Sequence, residues 1–161
     1  MSIIIFSKAI HSGKTTALMH WCEAVKNVAG ILMPDADGRR QMLDIRKKEM
    51  FVAECADPST TAALTSIGRF HFYSSAFEKA NSILLQESKV TPAWLIIDEV
   101  GRLELEEKGF YPALKELIPT YAGINHHLLL VVRNTLVDAV VSFFDIMQPV
   151  IIDDLAGLTH A

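Results

Sequence analysis

The stretch Ile3-Ile4-Ile5-Phe6-Ser7-Lys8-Ala9-Ile10-His11-Ser12-Gly13-Lys14-Thr15-Thr16 decides the fold. It opens on four apolar residues, three of them β-branched, the composition of a strand buried on both faces. A loop follows, and a helix is expected over residues 13–27, with Leu18, Trp21, Cys22 and Val25 at helical spacing. Buried strand, tight loop and helix form the setting of the phosphate-binding pattern G-x-x-x-x-G-K-[ST]. Gly13, Lys14 and Thr15 match it, and Lys8 replaces the first glycine.

The chemistry of such a loop is backbone amides aimed at phosphate oxygens. Lys8, Ala9, Ile10, His11, Ser12, Gly13, Lys14, Thr15 and Thr16 are therefore the expected nucleotide-binding residues. Gly13 would let the backbone approach where a Cβ would collide. Lys14 would bring its ammonium to the β- and γ-phosphates, and the Thr15 hydroxyl is a hard oxygen ligand suited to Mg²⁺. Lys8 has two readings: strain, if its position needs positive φ, or added positive charge near the phosphates.

A second signal is Trp94-Leu95-Ile96-Ile97-Asp98-Glu99, an apolar strand ending in two carboxylates, the Walker B pattern. Parallel strands present their C-terminal ends to the ligand crevice, so Asp98 is expected near the phosphate loop, holding Mg²⁺ directly or through water. Glu99 would accept a proton from the attacking water. The strand expected over residues 69–73 lies between the two motif strands in the chain and precedes a helix. That order, with Glu after Asp, fits hydrolases that insert a strand between the Walker strands.

Strand-like and helix-like segments alternate along the rest of the chain, which points to a parallel sheet covered by helices. Strands are expected over residues 28–33, 93–97, 128–132 and 150–152, and helices over 75–86, 107–117 and 136–144. Residues 40–45 and 50–52 read as a β-hairpin insertion, and residues 57–66 as irregular or briefly helical. The fold class expected is α/β, a three-layer P-loop NTPase fold with a mainly parallel sheet and a β-hairpin insertion, as one domain over residues 1–161.

A net charge of −4 argues against nucleic-acid binding through a broadly basic surface. No apolar run reaches the ~20 residues of a membrane span, and no leader pattern precedes the first strand, so a cytoplasmic, membrane-free protein is expected. Cys22 and Cys55 have no metal-ligand spacing and read as small buried or half-buried hydrophobes.

Three stretches resemble the small nucleoside-triphosphatase family that includes cancer-related nucleoside-triphosphatase, over roughly residues 1–145. One is Ser12-Gly13-Lys14-Thr15-Thr16 with its strand. Another is Gly30-Ile31-Leu32-Met33-Pro34 running into Gly38-Arg39-Arg40, Asp44 and Ile45, similar to the family's hairpin with its Gly-x-Arg turn. The most specific is Ile97-Asp98-Glu99-Val100-Gly101-Arg102-Leu103-Glu104-Leu105, similar to the family's Asp-Glu-Ile-Gly-Lys-Met-Glu, with Arg102 at the lysine. The resemblance implies slow, Mg²⁺-dependent hydrolysis of ATP, GTP and other NTPs with little base selectivity.

Other polar residues leave alternatives open. Arg102 would approach the γ-phosphate or pair with Glu104, and Gly101 would serve a turn. Arg133, after the strand over 128–132, is a γ-phosphate sensor or a solvated strand end. Arg39 and Arg40 read as a solvated turn, His126 and His127 as an exposed loop, and Trp21 and Trp94 as core. The expected catalytic set is Lys14, Glu99, Arg102 and Arg133, with Thr15 and Asp98 on the metal. Two rivals remain: a nucleotide-binding regulator or degenerate pseudo-NTPase, favoured by Lys8 and His11, and a small-molecule kinase, which needs an acceptor pocket and a lid.

Overall fold

A computed structural model describes residues 3–9 and 12–158 of the chain. Its elements run β1 (Ile3–Lys8), α1 (Lys14–Ala24), β2 (Val28–Leu32), β3 (Asp35–Ala36), β4 (Arg39–Asp44), β5 (Glu49–Val52), β6 (Leu64–Ile67), β7 (Phe70–Tyr73), α2 (Ser74–Lys89), β8 (Trp94–Val100), α3 (Arg102–Leu105), α4 (Tyr111–Ala122), β9 (His127–Arg133), α5 (Val137–Phe143) and β10 (Val150–Ile152). The main sheet has the order β10-β1-β9-β8-β2-β4-β3, with β5 paired to β4. Strands β10, β1, β9, β8 and β2 are mutually parallel, while β4 pairs antiparallel with β2, β3 and β5. This is the expected mainly parallel sheet, with the β4–β5 hairpin as the insertion.

Strand alternation divides the core into two layers. Ile3, Ile5, Leu128, Leu130 and Val132 pack on one face with Phe77, Ala80, Leu84, Leu114, Leu117 and Val140, which come from α2, α4 and α5. Ile4, Phe6, Leu129 and Val131 pack on the other with Leu18 and Trp21 of α1. Helices therefore cover both sides. A fully buried leucine such as Leu84 or Leu114 contributes about 1.5–3 kcal/mol. Trp21 and Trp94 are core residues as expected, with ring centroids 5.0 Å apart in an edge-to-face arrangement. Cys55 is buried, Cys22 half-buried, and both are free thiols.

Several expectations change. Strand β7 is not in the main sheet: it pairs with β6 in a separate two-stranded sheet. The strand that stands between β1 and β8 is β9. Chain order does not reveal this, because a crossover through α3 and α4 returns β9 to the slot beside β1. Residues 64–67 form β6 rather than irregular chain, because Leu64-Thr65-Ser66-Ile67 is stabilised by pairing across the turn at Gly68 more than by its own propensity. Helix α1 ends at Ala24, and Asn27 takes φ +58° before β2. His127 belongs to β9 and stacks on Trp94 at 4.3 Å, so it is no loop residue. Asp98 and Glu99 lie inside β8, which continues to Val100.

Candidate functional site

Strand β1 ends at Lys8 and α1 begins at Lys14, so Gly13 and the start of α1 stand at the C-terminal edge of the parallel strands. Gly13 caps α1 with φ +82°, a left-handed conformation that a side chain resists. Among the described residues, its chain neighbours apart, no atom lies within 4 Å of where a Cβ there would stand, so the need for glycine that these residues show is conformational, not steric. Lys8 stays in the strand, in register with Arg133, outside the positive-φ region, and its ammonium sits 5.9 Å from the Phe6 ring centroid. Of the two readings of Lys8, strain does not apply, because its φ is not positive and strand geometry accepts any side chain.

Lys14 is buried, and its Nζ donates to the carbonyls of Ala9 at 3.2 Å and Lys8 at 3.5 Å. Thr15 Oγ1 donates to Asp98 Oδ2 at 2.7 Å, and the Met33 amide donates to the same oxygen at 3.1 Å. Asp98 is 1 % exposed, and its Oδ1 has no hydrogen-bond partner among the described residues. Burial raises the Asp98 carboxyl above the ordinary carboxylate range, against the hydrogen bonds from Thr15 and Met33. A buried carboxylate oxygen without a partner, beside a threonine hydroxyl, is a hard-oxygen pair suited to a divalent cation. Thr15 and Asp98 therefore fit Mg²⁺.

The register of β8 explains how both acids reach one place. Ile97 pairs with Leu130 and Val100 with Val132, so three steps on β8 match two on β9. Asp98 and Glu99 thus share the bulge opposite Val131. Regular alternation would send neighbouring side chains to opposite faces; a bulge re-aims them. Asp98 meets Thr15 in the first turn of α1. Glu99 lines a cavity of about 380 Å³ with Ser12, Gly13, Lys14, Thr15 and Thr16. Arg133 lines it too, with its Nε buried and without a partner among the described residues.

Sequence reasoning missed Arg40. It lies on β4, not in a solvated turn, and its Nη1 stands 3.7 Å from Glu99 Oε2. The signal was the Gly-x-Arg turn in the family resemblance. Arg102 opens α3 and lines a neighbouring cavity, not the one at the loop. It does not pair with Glu104, whose buried carboxylate accepts instead from Gly101 N at 2.7 Å and Phe110 N at 2.9 Å. Those two bonds wrap α3 around the carboxylate. Gly101 has an extended φ of −160°, so no left-handed turn requires it. Ala9 is exposed beside Lys14, while Ile10 and His11 lie outside the described residues.

The family model described as NTPase matches residues 3–150. The chain belongs to the NTPase family. Among solved structures, this NTPase-family chain is similar to THEP1 from the hyperthermophile Aquifex aeolicus. The TM-score is 0.73 at 19 % identity, over 94 % of this chain and 88 % of that one, a likeness of fold. No curated protein matches the sequence. No helix among the described residues of this NTPase-family member is long and apolar enough to cross a membrane.

Proposed function

We propose that this chain binds the polyphosphate of ATP, GTP or another NTP together with Mg²⁺ and hydrolyses it slowly to NDP and phosphate. The observation that carries the reading is the Thr15–Asp98 contact, with Asp98 Oδ1 left over, under a cavity that Lys14, Glu99 and Arg133 share.

The amides of the loop and of the α1 start receive phosphate oxygens, and the Lys14 ammonium neutralises charge on the β- and γ-phosphates. Thr15 and Asp98 hold the cation, which when bound supplies Lewis-acid stabilisation of charge on the transferring phosphoryl group. Glu99 orients a water and accepts its proton as the water oxygen bonds to the γ-phosphorus and the bond to the leaving NDP breaks. Arg40 holds the Glu99 carboxylate from the β4 side, 3.7 Å away. Arg133 offers its guanidinium to the γ-phosphate from the end of β9. Free thiols at Cys22 and Cys55 are in keeping with a cytoplasmic setting.

The test is phosphate release from several NTPs with Mg²⁺, comparing wild type with Lys14→Ala and Glu99→Gln. Release that drops in both variants, with nucleotide-dependent thermal stabilisation kept in Glu99→Gln, is expected. Equal release in all three proteins defeats the hydrolase reading. Stabilisation without release in the wild type would instead favour a nucleotide-binding regulator.

A further inference from the structure

A second cavity of about 320 Å³ adjoins the loop cavity, and its floor is apolar and aromatic. Ile67, Phe70 and Phe72 come from the β6–β7 hairpin, Phe77 from α2 and Leu103 from α3. Phe70 and Phe72 stack at 6.4 Å with an interplanar angle of 18°, and the Arg69 guanidinium carbon stands 5.3 Å from the Phe70 ring centroid. Four arginines line this cavity, Arg40, Arg69, Arg102 and Arg133, against two carboxylates, Glu99 and Glu104. Three of these groups, Arg40, Glu99 and Arg133, also line the loop cavity, so the two spaces meet at the carboxylate assigned above to activating water.

Water alone needs no aromatic chamber. The volume lies in the range of sites for small organic ligands. The phenylalanines in the lining favour an apolar, ring-bearing group, and the excess of arginines favours an anionic one. At the junction, the carboxylate of Glu99 repels an anionic oxygen and accepts from an O–H. The three preferences together define one ligand class.

We propose that the second cavity is an acceptor subsite for a ring-bearing organic anion whose hydroxyl faces Glu99, so that the γ-phosphoryl group passes to that hydroxyl in place of water. The inference rests on the NTP-binding reading of the loop cavity. In the step, the acceptor oxygen bonds to the γ-phosphorus and the bridging bond between the β- and γ-phosphates breaks. Its electron pair leaves with the NDP, and the acceptor proton passes to Glu99. The products are an NDP and a phosphate monoester. Arg69 and Arg102 hold the anionic group at the cavity mouth, where both are exposed, and the β6–β7 hairpin forms the wall over the ring.

The probes are nucleoside 5′-monophosphates, which combine ring, hydroxyls and anion. Ribose 5-phosphate, without the ring, and free nucleosides, without the anion, are the controls. The full chain is incubated with Mg²⁺ and ATP labelled on the γ-phosphate, and label is partitioned between probe and inorganic phosphate; phosphorus NMR separates monoester from anhydride. Monoester formation with the monophosphates, at least ~10-fold above either control, is expected, as is a ~10-fold fall in its ratio to free phosphate in Arg69→Ala and in Phe70→Ala. Arg69 is exposed, so its variant remains informative if Phe70→Ala folds poorly.

Anhydride as the product, binding of the monophosphates without transfer, or no binding overturns the inference. Phosphate release that continues without any monoester overturns this inference and leaves hydrolysis standing. Monoester formed by a protein that releases almost no phosphate when acceptor is omitted sustains the inference and defeats slow hydrolysis. Neither product with any probe defeats both.

Discussion

Thr15 Oγ1 lies 2.7 Å from Asp98 Oδ2, a contact between residues 83 positions apart that ties the first helix of the fold to the strand carrying the acids. If this pair holds the cation, Asp98→Asn should cut phosphate release by ~100-fold or more. It should also abolish the Mg²⁺-dependent part of the thermal shift with ATP. The folded state without nucleotide should be little harmed, because a buried neutral amide costs less than a buried, partly satisfied carboxylate. Release kinetics and melting curves run in parallel check both halves. Undiminished Mg²⁺ dependence in the variant would defeat the assignment.

Arg40 stands at the edge of the site and is partly exposed, so its ion pair with Glu99 is worth at most ~1 kcal/mol to stability. If Glu99 activates water, the value of Arg40 lies in fixing where that carboxylate points. Arg40→Ala is expected to slow phosphate release about tenfold while the unfolding free energy moves by less than ~1 kcal/mol. The comparison is kcat against the denaturant midpoint. A variant that loses stability and keeps its rate would make Arg40 structural.

The left-handed backbone at Gly13 makes a further test independent of chemistry. Gly13→Ala places a Cβ on φ +82°, where strain of roughly 1–2 kcal/mol is expected. Urea denaturation of both proteins measures it. Unchanged stability would mean that the loop relaxes to another conformation.

Burial pushes the Glu104 carboxyl up to about 7 from an ordinary value of 4.5, against donation from the Phe110 and Gly101 amides. A folded-state pKa raised in this way stabilises the native state fully below the unfolded value, and that stabilisation is lost as pH rises through the folded value. The native chain should thus lose about 3 kcal/mol on this account as pH rises from about 4.5 to above about 7. Glu104→Gln removes the titration, so the wild type should lose stability relative to the variant as pH rises. Unfolding free energies from about pH 5 to about pH 8 supply the check. A constant gap between the proteins would exclude the shift.

Much of the arrangement was legible in local sequence. Ile3 to Phe6 announced a buried strand, and Gly13-Lys14-Thr15 placed the start of α1 to within one residue. The apolar run into Asp98-Glu99 located the strand of acids. Arg40 was misread because Gly38-Arg39-Arg40 looks like any polar turn until β4 pairs with β2 and carries the side chain to Glu99. Arg102 followed the acids closely in the chain, yet α3 turns it toward the neighbouring cavity.

By itself the sequence determined most of the main-sheet strands and the longer helices, their order and the two chemical motifs, because propensity, capping and alternation act between residues a few positions apart. Tertiary structure decided that β9 rather than β7 separates the motif strands, that a slip against Val131 brings Asp98 to Thr15 and Glu99 to the loop cavity, and that an aromatic chamber opens beside them. Those outcomes depend on crossover packing and on pairing between distant strands, whose free energies belong to no single segment of the chain.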